Sequence, residues 1–212
     1  MIDKKLVDYF NILNDQQTAL QELYEQINTF ENIHFIPAVR FETALYLSWQ
    51  TGTIRPDKVL EIGFGSGTSS IFIKKGSDEI KKFISLERDK NRFERGLRLF
   101  DHLSLTGIEL IKTDAFHFFE NQQEQFDMVF LDAVKRDYID YLPKLLPLLS
   151  ARGILICDNI LFNGKILLDD PGAKYRDGVN LLRDFNQILS TEKELSTHFI
   201  PIGDGLSISV KK

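Results

Sequence analysis

From Lys58 onward, short apolar runs alternate with stretches of helical spacing, and this alternation leaves the chain few possible folds. Residues 58–62, 82–87, 109–113, 126–132 and 153–158 read as strands. Residues 69–75, 90–105, 115–121, 138–149 and 178–190 read as helices. Strands joined in sequence through helices run parallel, with helices covering both faces of the sheet. The end of the chain breaks the pattern. Residues 196–202 and 206–211 read as two strands joined by Gly203-Asp204-Gly205, and so short a connection indicates an antiparallel hairpin. The expected fold class is α/β, a mostly parallel sheet closed by that hairpin.

Ahead of the sheet, residues 2–30 read as helical. Ile2, Leu6, Tyr9, Phe10 and Leu13 follow helical spacing, as do Leu20, Leu23, Tyr24 and Ile27. Asn14 and Asp15 are expected to split this stretch into two helices. Residues 33–37 read as a loop and 38–50 as a further helix, which Gly52 and Pro56 terminate. A chain of 212 residues fits one domain. The expectation is a single unit over 1–212, with a helical layer at 1–50 and the sheet core at 58–212.

Composition narrows the function classes. With 43% hydrophobic and 27% charged residues, disorder and collagen-like repeats are excluded. No apolar run approaches the ~20 residues that span a bilayer, so no membrane partner is expected. The opening MIDKKLVDYF lacks a signal-peptide apolar region, which predicts a cytoplasmic chain. The single Cys157 excludes a disulfide framework and a Cys-ligated zinc site. His34, His102, His117 and His198 show no ligand spacing. A net charge of −5 argues against a general nucleic-acid coat. It leaves room for a local basic surface, because residues 74–98 hold nine Lys/Arg against five Asp/Glu. Lys135, Arg136, Lys165, Lys174, Arg176 and Arg183 are expected to flank a substrate mouth.

The first strand, Val59-Leu60-Glu61-Ile62, runs into Gly63-Phe64-Gly65-Ser66-Gly67 and then a helix. Glycines there let a ligand approach the backbone. A dinucleotide fingerprint requires a third glycine at relative position six, where this chain has Thr68. Glu61 would also repel a pyrophosphate beside the turn, whereas it suits a ligand bearing an ammonium group. S-adenosylmethionine (SAM) has an amino-acid end and no phosphate. Glu87 ends the second strand 20 residues after Gly67, the offset at which an acid accepts ribose hydroxyls. Asp114, after the third strand, stands where an adenine amino group would be read. It could equally cap the following helix.

Two further strand ends carry acids. The fourth ends Phe130-Leu131-Asp132-Ala133, and the fifth ends Ile156-Cys157-Asp158-Asn159. In a parallel sheet these ends share the edge where open α/β folds bind ligands. Asp132, Asp158 and Asn159 offer hard oxygen donors and two negative charges, which suits Mg²⁺ or Mn²⁺. Lys135 follows Asp132 by three residues, and a lysine beside a dication is a better base because its charged form is disfavoured.

The Leu60-Glu61-Ile62-Gly63 turn, Phe130-Leu131-Asp132-Ala133-Val134-Lys135 and Asp158-Asn159 together resemble the cation-dependent class I SAM O-methyltransferases, the catechol and caffeoyl-CoA O-methyltransferase family. The resemblance runs from about Phe35 to Lys212. It implies a Rossmann-like fold. It implies Asp132, Asp158 and Asn159 as metal ligands and Lys135, with Asp132, as the catalytic pair. It implies Val39, Glu61, Gly63, Gly65, Ser69, Glu87, Asp114, Ala115 and Asp132 as SAM contacts. The closing residues 199–209, Phe162-Asn163-Gly164, Arg176 and Arg183 are similar to a bacterial subgroup that includes the tRNA 5-hydroxyuridine methyltransferases. Asn163 stands where several relatives carry Arg, and Ala133 replaces a bulkier residue of the catechol enzymes.

The expected reaction is transfer of the SAM methyl group to a metal-chelated hydroxyl, with Lys135 as general base. Chelation asks for two adjacent oxygens. A tRNA wobble 5-hydroxyuridine offers them, as does a small catechol or hydroxycinnamoyl-type phenol. The tRNA reading is the leading expectation, and the phenol is the alternative. A SAM-binding protein without catalysis is the reading from a different class. Spare apolar surface on the N-terminal helices predicts a homodimer.

Overall fold

The computed structural model describes Lys5, Tyr9, residues 18–32, Ile36 and residues 38–212. The expected break at Asn14 and Asp15 lies outside the described residues, as do His34 and Phe35. Helix α1 spans Thr18–Thr29 and ends in a 3-10 turn, Phe30–Asn32; helix α2 spans Phe41–Ile54. The sheet follows as β1 Lys58–Ile62, β2 Lys82–Glu87, β3 Glu109–Lys112, β4 Phe126–Leu131 and β5 Leu149–Cys157. Between these strands run α3 Thr68–Gly76, α4 Lys90–His102, α5 Ala115–Asn121 and α6 Tyr138–Leu148. Helix α7, Ala173–Thr191, leads into β6 Leu195–Ile200 and β7 Leu206–Lys211.

The seven strands form one sheet in the order β3-β2-β1-β4-β5-β7-β6. The first five are mutually parallel, and β7 pairs antiparallel with both β5 and β6. This is the α/β class I methyltransferase layout expected from the alternation and the closing hairpin. The central strands are mostly apolar because both faces are covered. On one face Leu60, Ile62, Val129 and Leu131 pack with Tyr138, Leu142 and Phe185. On the other, Val59, Phe83, Met128 and Phe130 pack with Leu47, Ile71, Phe72 and Leu99. Asp89 and Asp114 cap α4 and α5, accepting from Arg92 N and Phe116 N at 2.9 Å.

Boundaries differ from expectation where tertiary contacts override local signals. Helix α7 begins five residues before Gly178, which sits inside the helix with only the Phe162 ring near. Strand β5 begins at Leu149 because a register shift against β4 accommodates extra residues around Arg152, whose φ is 64°. Trp49, by contrast, is 65% exposed and touches the Tyr46 ring. Among the described residues, no helix is long and apolar enough to cross a membrane.

Helices α2 and α3 approach through glycines. A Cβ on Gly76 would lie 2.2 Å from Ser48 O, and one on Gly52 would lie 3.0 Å from Gly76 O. Gly76→Ala must therefore push the two helices apart. It is expected to destabilise by about 1–3 kcal/mol, seen as a lower urea midpoint with an unchanged slope.

Candidate active site

The C-terminal ends of the parallel strands open onto a cavity of about 380 Å³. Val39, Gly63, Gly65, Ser69, Glu87, Asp114, Ala115, Asp132, Lys135 and Asn159 all line it. Of the predicted site residues, only Glu61 and Asp158 lie behind the wall. Thr113, in the segment expected to meet an adenine, lines the cavity beside Asp114, as do Phe64, Arg88, Arg92 and Tyr141, none of which stood out in the sequence as a ligand.

The turn after β1 is held against two neighbours. The N–H groups of Gly63 and Phe64 both donate to Leu86 O of β2, at 3.1 and 3.0 Å. Gly63 has φ of 101°, and a Cβ there would lie 2.1 Å from Asp132 O. Only glycine fits that conformation and that approach. The Glu87 carboxylate accepts from Gly65 N at 3.0 Å and from Asp89 N at 2.8 Å. It thus fixes the turn while facing the cavity, and its oxygens retain lone pairs for a ligand hydroxyl. Asp114 caps α5 and also lines the cavity, with Arg88 Nη1 3.8 Å from its other oxygen.

Glu61 requires a correction. The sequence placed its carboxylate beside the turn, facing a ligand ammonium. In the structure it is fully buried beneath the turn, where the hydroxyls of Ser69, Ser70 and Ser85 donate to it. Its side chain points into the core because β1 is covered on both faces. Ser69 lines the cavity in its place. Burial pushes the Glu61 carboxyl up to about 7, against the pull of the three hydroxyls, and the charge of Asp132 adds to the rise.

Asp132, Lys135, Asp158 and Asn159 gather at the ends of β4 and β5. Lys135 Nζ donates to Asp132 Oδ1 at 2.7 Å, Ala133 O at 3.1 Å and Tyr138 OH at 2.9 Å. Tyr138 is fully buried and donates on to Leu131 O at 3.1 Å. The sequence showed Tyr138 only as a helix start; its three-residue offset from Lys135 was the available signal. Asp158 is 1% exposed, and its Oδ1 accepts from Asn159 N at 2.6 Å. Burial first, then the nearby charge of Asp132, pushes its carboxyl up to about 7. Two neighbouring carboxylates, with the charge of Asp132 adding to the rise at Asp158 and an amide oxygen beside them, form a hard-oxygen donor set that fits a divalent cation.

The basic residues behave differently from expectation. Of the six expected around a mouth, only Lys135 lines the cavity. Arg183 is committed to Ile166 O and Leu168 O, and Arg176 pairs with Asp170. Within residues 74–98, Lys81, Lys82, Lys90 and Arg98 pair with Asp57, Glu124, Glu94 and Glu31.

A family model described as O-methyltransferase matches residues 11–212. The chain belongs to the O-methyltransferase family. Enzymes of this family are SAM-dependent, so the chain is a SAM-dependent O-methyltransferase, and the cofactor expected from the turn is the family's own. Tapetum-specific methyltransferase 1 of Arabidopsis thaliana is 28% identical over 204 residues, 91% of this chain and 86% of that protein. A Medicago sativa caffeoyl-CoA O-methyltransferase is 27% identical over 204 residues, 91% of this chain and 81% of that one. Among solved structures, a Staphylococcus aureus protein provisionally named a caffeoyl-CoA O-methyltransferase superposes with a TM-score of 0.85 at 26% identity, covering 95% of this chain and 98% of that one. The SAH-bound Podospora anserina methyltransferase PaMTH1 shares the fold, with a TM-score of 0.83 at 22% identity over 100% and 97% of the two chains.

The family resemblance leaves Glu61 to be explained by its burial. Its folded value of about 7 lies above its ordinary 4.5. The proton is therefore bound more tightly in the folded chain, and the stability this confers is complete below about pH 4.5 and lost as pH rises through about 7. The size is about 3 kcal/mol. Urea titrations across pH 4.5–8 should show wild type losing this stability relative to Glu61→Gln, which has no carboxyl to ionise. Parallel pH profiles for the two proteins would refute the assignment.

Proposed function

We propose that this O-methyltransferase methylates one hydroxyl of a small phenol bearing two adjacent oxygens, in a reaction dependent on a divalent cation. The observation that carries the reading is the pairing of Asp132 and Asp158 at adjacent strand ends, with Lys135 Nζ 2.7 Å from Asp132. Asp132, Asp158 and the Asn159 amide would hold the cation, Mg²⁺ or Mn²⁺. Bound there, such an ion lowers a hydroxyl pKa and acts as a template for two oxygens.

The residues of the chain supply the rest. Gly63, Gly65, Ser69 and Glu87 form the wall that receives SAM, with Val39, Asp114 and Ala115 at its margins. That wall and Lys135 face one cavity, so the acceptor oxygen and the methyl donor are held together and proximity contributes to rate. Lys135 Nζ takes the hydroxyl proton. Ala133 O and Tyr138 OH occupy two of its N–H groups, and the third position, which donates to Asp132 Oδ1 in this structure, would carry the lone pair that takes the proton once Nζ is the neutral amine. Tyr141, Val134 and Phe64 add apolar surface to the cavity wall.

The small-phenol reading is supported by the names of the plant relatives and by the charge map. Several basic side chains, Arg183, Arg98 and Lys82 among them, are engaged within the fold, while Arg88 and Arg92 line the cavity. Wobble 5-hydroxyuridine, the leading expectation from the closing segment, gains no support from the relatives.

The experiment is methyl transfer from labelled SAM to a panel of catechols and hydroxycinnamoyl esters, beside total bacterial tRNA. Turnover of at least one phenol, with none in tRNA, is the expected result. EDTA should abolish it and added Mg²⁺ or Mn²⁺ restore it. Lys135→Met should lower kcat about 10²–10⁴-fold, the range for loss of a general base. Label in tRNA alone would reject the phenol. Full activity of Asp158→Ala in EDTA would reject the cation.

A further inference from the structure

The acids at the strand ends have roles in the site, but one buried cation does not. Arg95 of α4 is 2% exposed, and its hydrogen bonds go to backbone carbonyls rather than to a carboxylate. Its Nη1 donates to Ser66 O at 2.8 Å. Its Nη2 donates to Ile27 O at 2.9 Å and Phe30 O at 3.3 Å. The guanidinium lies 5.4 Å from the Phe30 ring centre, and among the described residues Nε has no hydrogen-bond partner. Glu31 is committed to Arg98 through both oxygens.

Burying a cation without a counterion is costly unless its donors are satisfied. Ile27 O and Phe30 O lie at the C-terminal end of α1, where carbonyls lack intrahelical donors and the helix dipole is negative. Arg95 therefore finds its compensation in α1. Its remaining bond runs to Ser66, in the Gly-rich turn that lines the cavity. Two more bonds connect the same helix to the start of α3 and to Val39 of the cavity wall. Asn28 Oδ1 accepts from Thr68 Oγ1 at 3.2 Å, and Tyr24 OH donates to Val39 O at 2.9 Å.

We propose that Arg95 is a positioning residue for the cofactor site, coupling the docking of α1 to the conformation of the turn at residues 63–68. Were α1 to leave, Arg95 would lose two of its three acceptors, and its guanidinium would turn toward water and release Ser66 O. A ligand that needs the ordered turn then favours the docked helix, and the docked helix favours the ligand, by the same factor. The inference rests on the reading that this turn cradles SAM. It is independent of the methyl acceptor and of the cation.

Hydrogen exchange on the full chain, with and without S-adenosylhomocysteine, tests it together with calorimetric affinity. In wild type the ligand should slow exchange at residues 63–69 and also at 18–32. Arg95→Met keeps the bulk and removes the donors. It should weaken binding roughly tenfold, within the usual span of coupling between sites. At saturation it should protect 63–69 but no longer 18–32. The KM for SAM should rise in the same variant while kcat at saturation holds. Arg95→Lys should restore part of the affinity. If circular dichroism shows Arg95→Met unfolded, Asn28→Ala carries the same comparison from the α1 side. Wild-type affinity in the variant, or protection at 63–69 without any at 18–32 in wild type, would overturn the coupling. Binding with no protection at 63–69 would overturn the cofactor placement as well.

Discussion

Gly63 has no side chain, and the arrangement of the sheet edge depends on that. Any Cβ there would collide with Asp132 O. Because it is absent, the β1 and β4 backbones stay in register to their last residues. Asp132 N donates to Ile62 O at 3.0 Å, and Asp158 N donates to Leu131 O at 3.0 Å. The ladder thus carries straight into the two acids, and backbone bonds rather than flexible side chains fix where they start. A donor set built in this way is rigid before any ligand arrives, which is what a site on strand ends offers over one on loops.

The same edge concentrates negative charge, and the structure offsets each acid separately. Glu61 is surrounded by three serine hydroxyls. Glu87 accepts two backbone N–H groups. Asp132 is paired with Lys135, and Asp158 takes the Asn159 N–H. The offsets are unequal. Glu61 and Asp158 are both pushed up to about 7 by burial, and Asp132 adds to each. With Asp132 paired to Lys135, it is the ionised form of Asp158 that would add the negative charge attracting a cation at this edge.

Most of this was legible in the sequence because it is local. The alternation from Lys58 onward dictates the sheet, and the acids announce themselves as the last residues of apolar runs. Glu61 was misplaced for a reason of the same kind. Its position in the strand is plain, but which face it points to depends on α3 supplying Ser69 and Ser70 and β2 supplying Ser85. Arg95 looked like one member of a basic helix. Its acceptors lie 29 to 68 residues away in sequence, so no pattern within α4 reveals them. The segment after β5 was opaque for the same cause. Asn159, Phe162 and Asn163 have φ values of 60°, 49° and 54°. These non-glycine left-handed residues are held by the distant hairpin turn, through Leu161 N to Asp204 O at 3.0 Å and Asn163 N to the Asp204 carboxylate at 2.6 Å.

That clasp also joins distant parts of the chain beside the site. Asp204 is 7% exposed and ties the loop after the strand-end acids to the closing hairpin. Arg40, just before α2, reaches the same loop by donating to Asn163 Oδ1 at 3.3 Å. The loop after the strand-end acids is therefore tied to two segments from distant parts of the chain, the closing hairpin and the residues just before α2. Phe162 and Tyr175 meet edge to face on this side at 6.1 Å, with Lys165 Nζ 4.8 Å from the Tyr175 ring centre. Lys174 Nζ lies over the same Tyr175 ring at 5.4 Å, so two cations beside this loop are engaged with aromatic rings, whereas a polyanion needs cations free of such partners and spread along a groove.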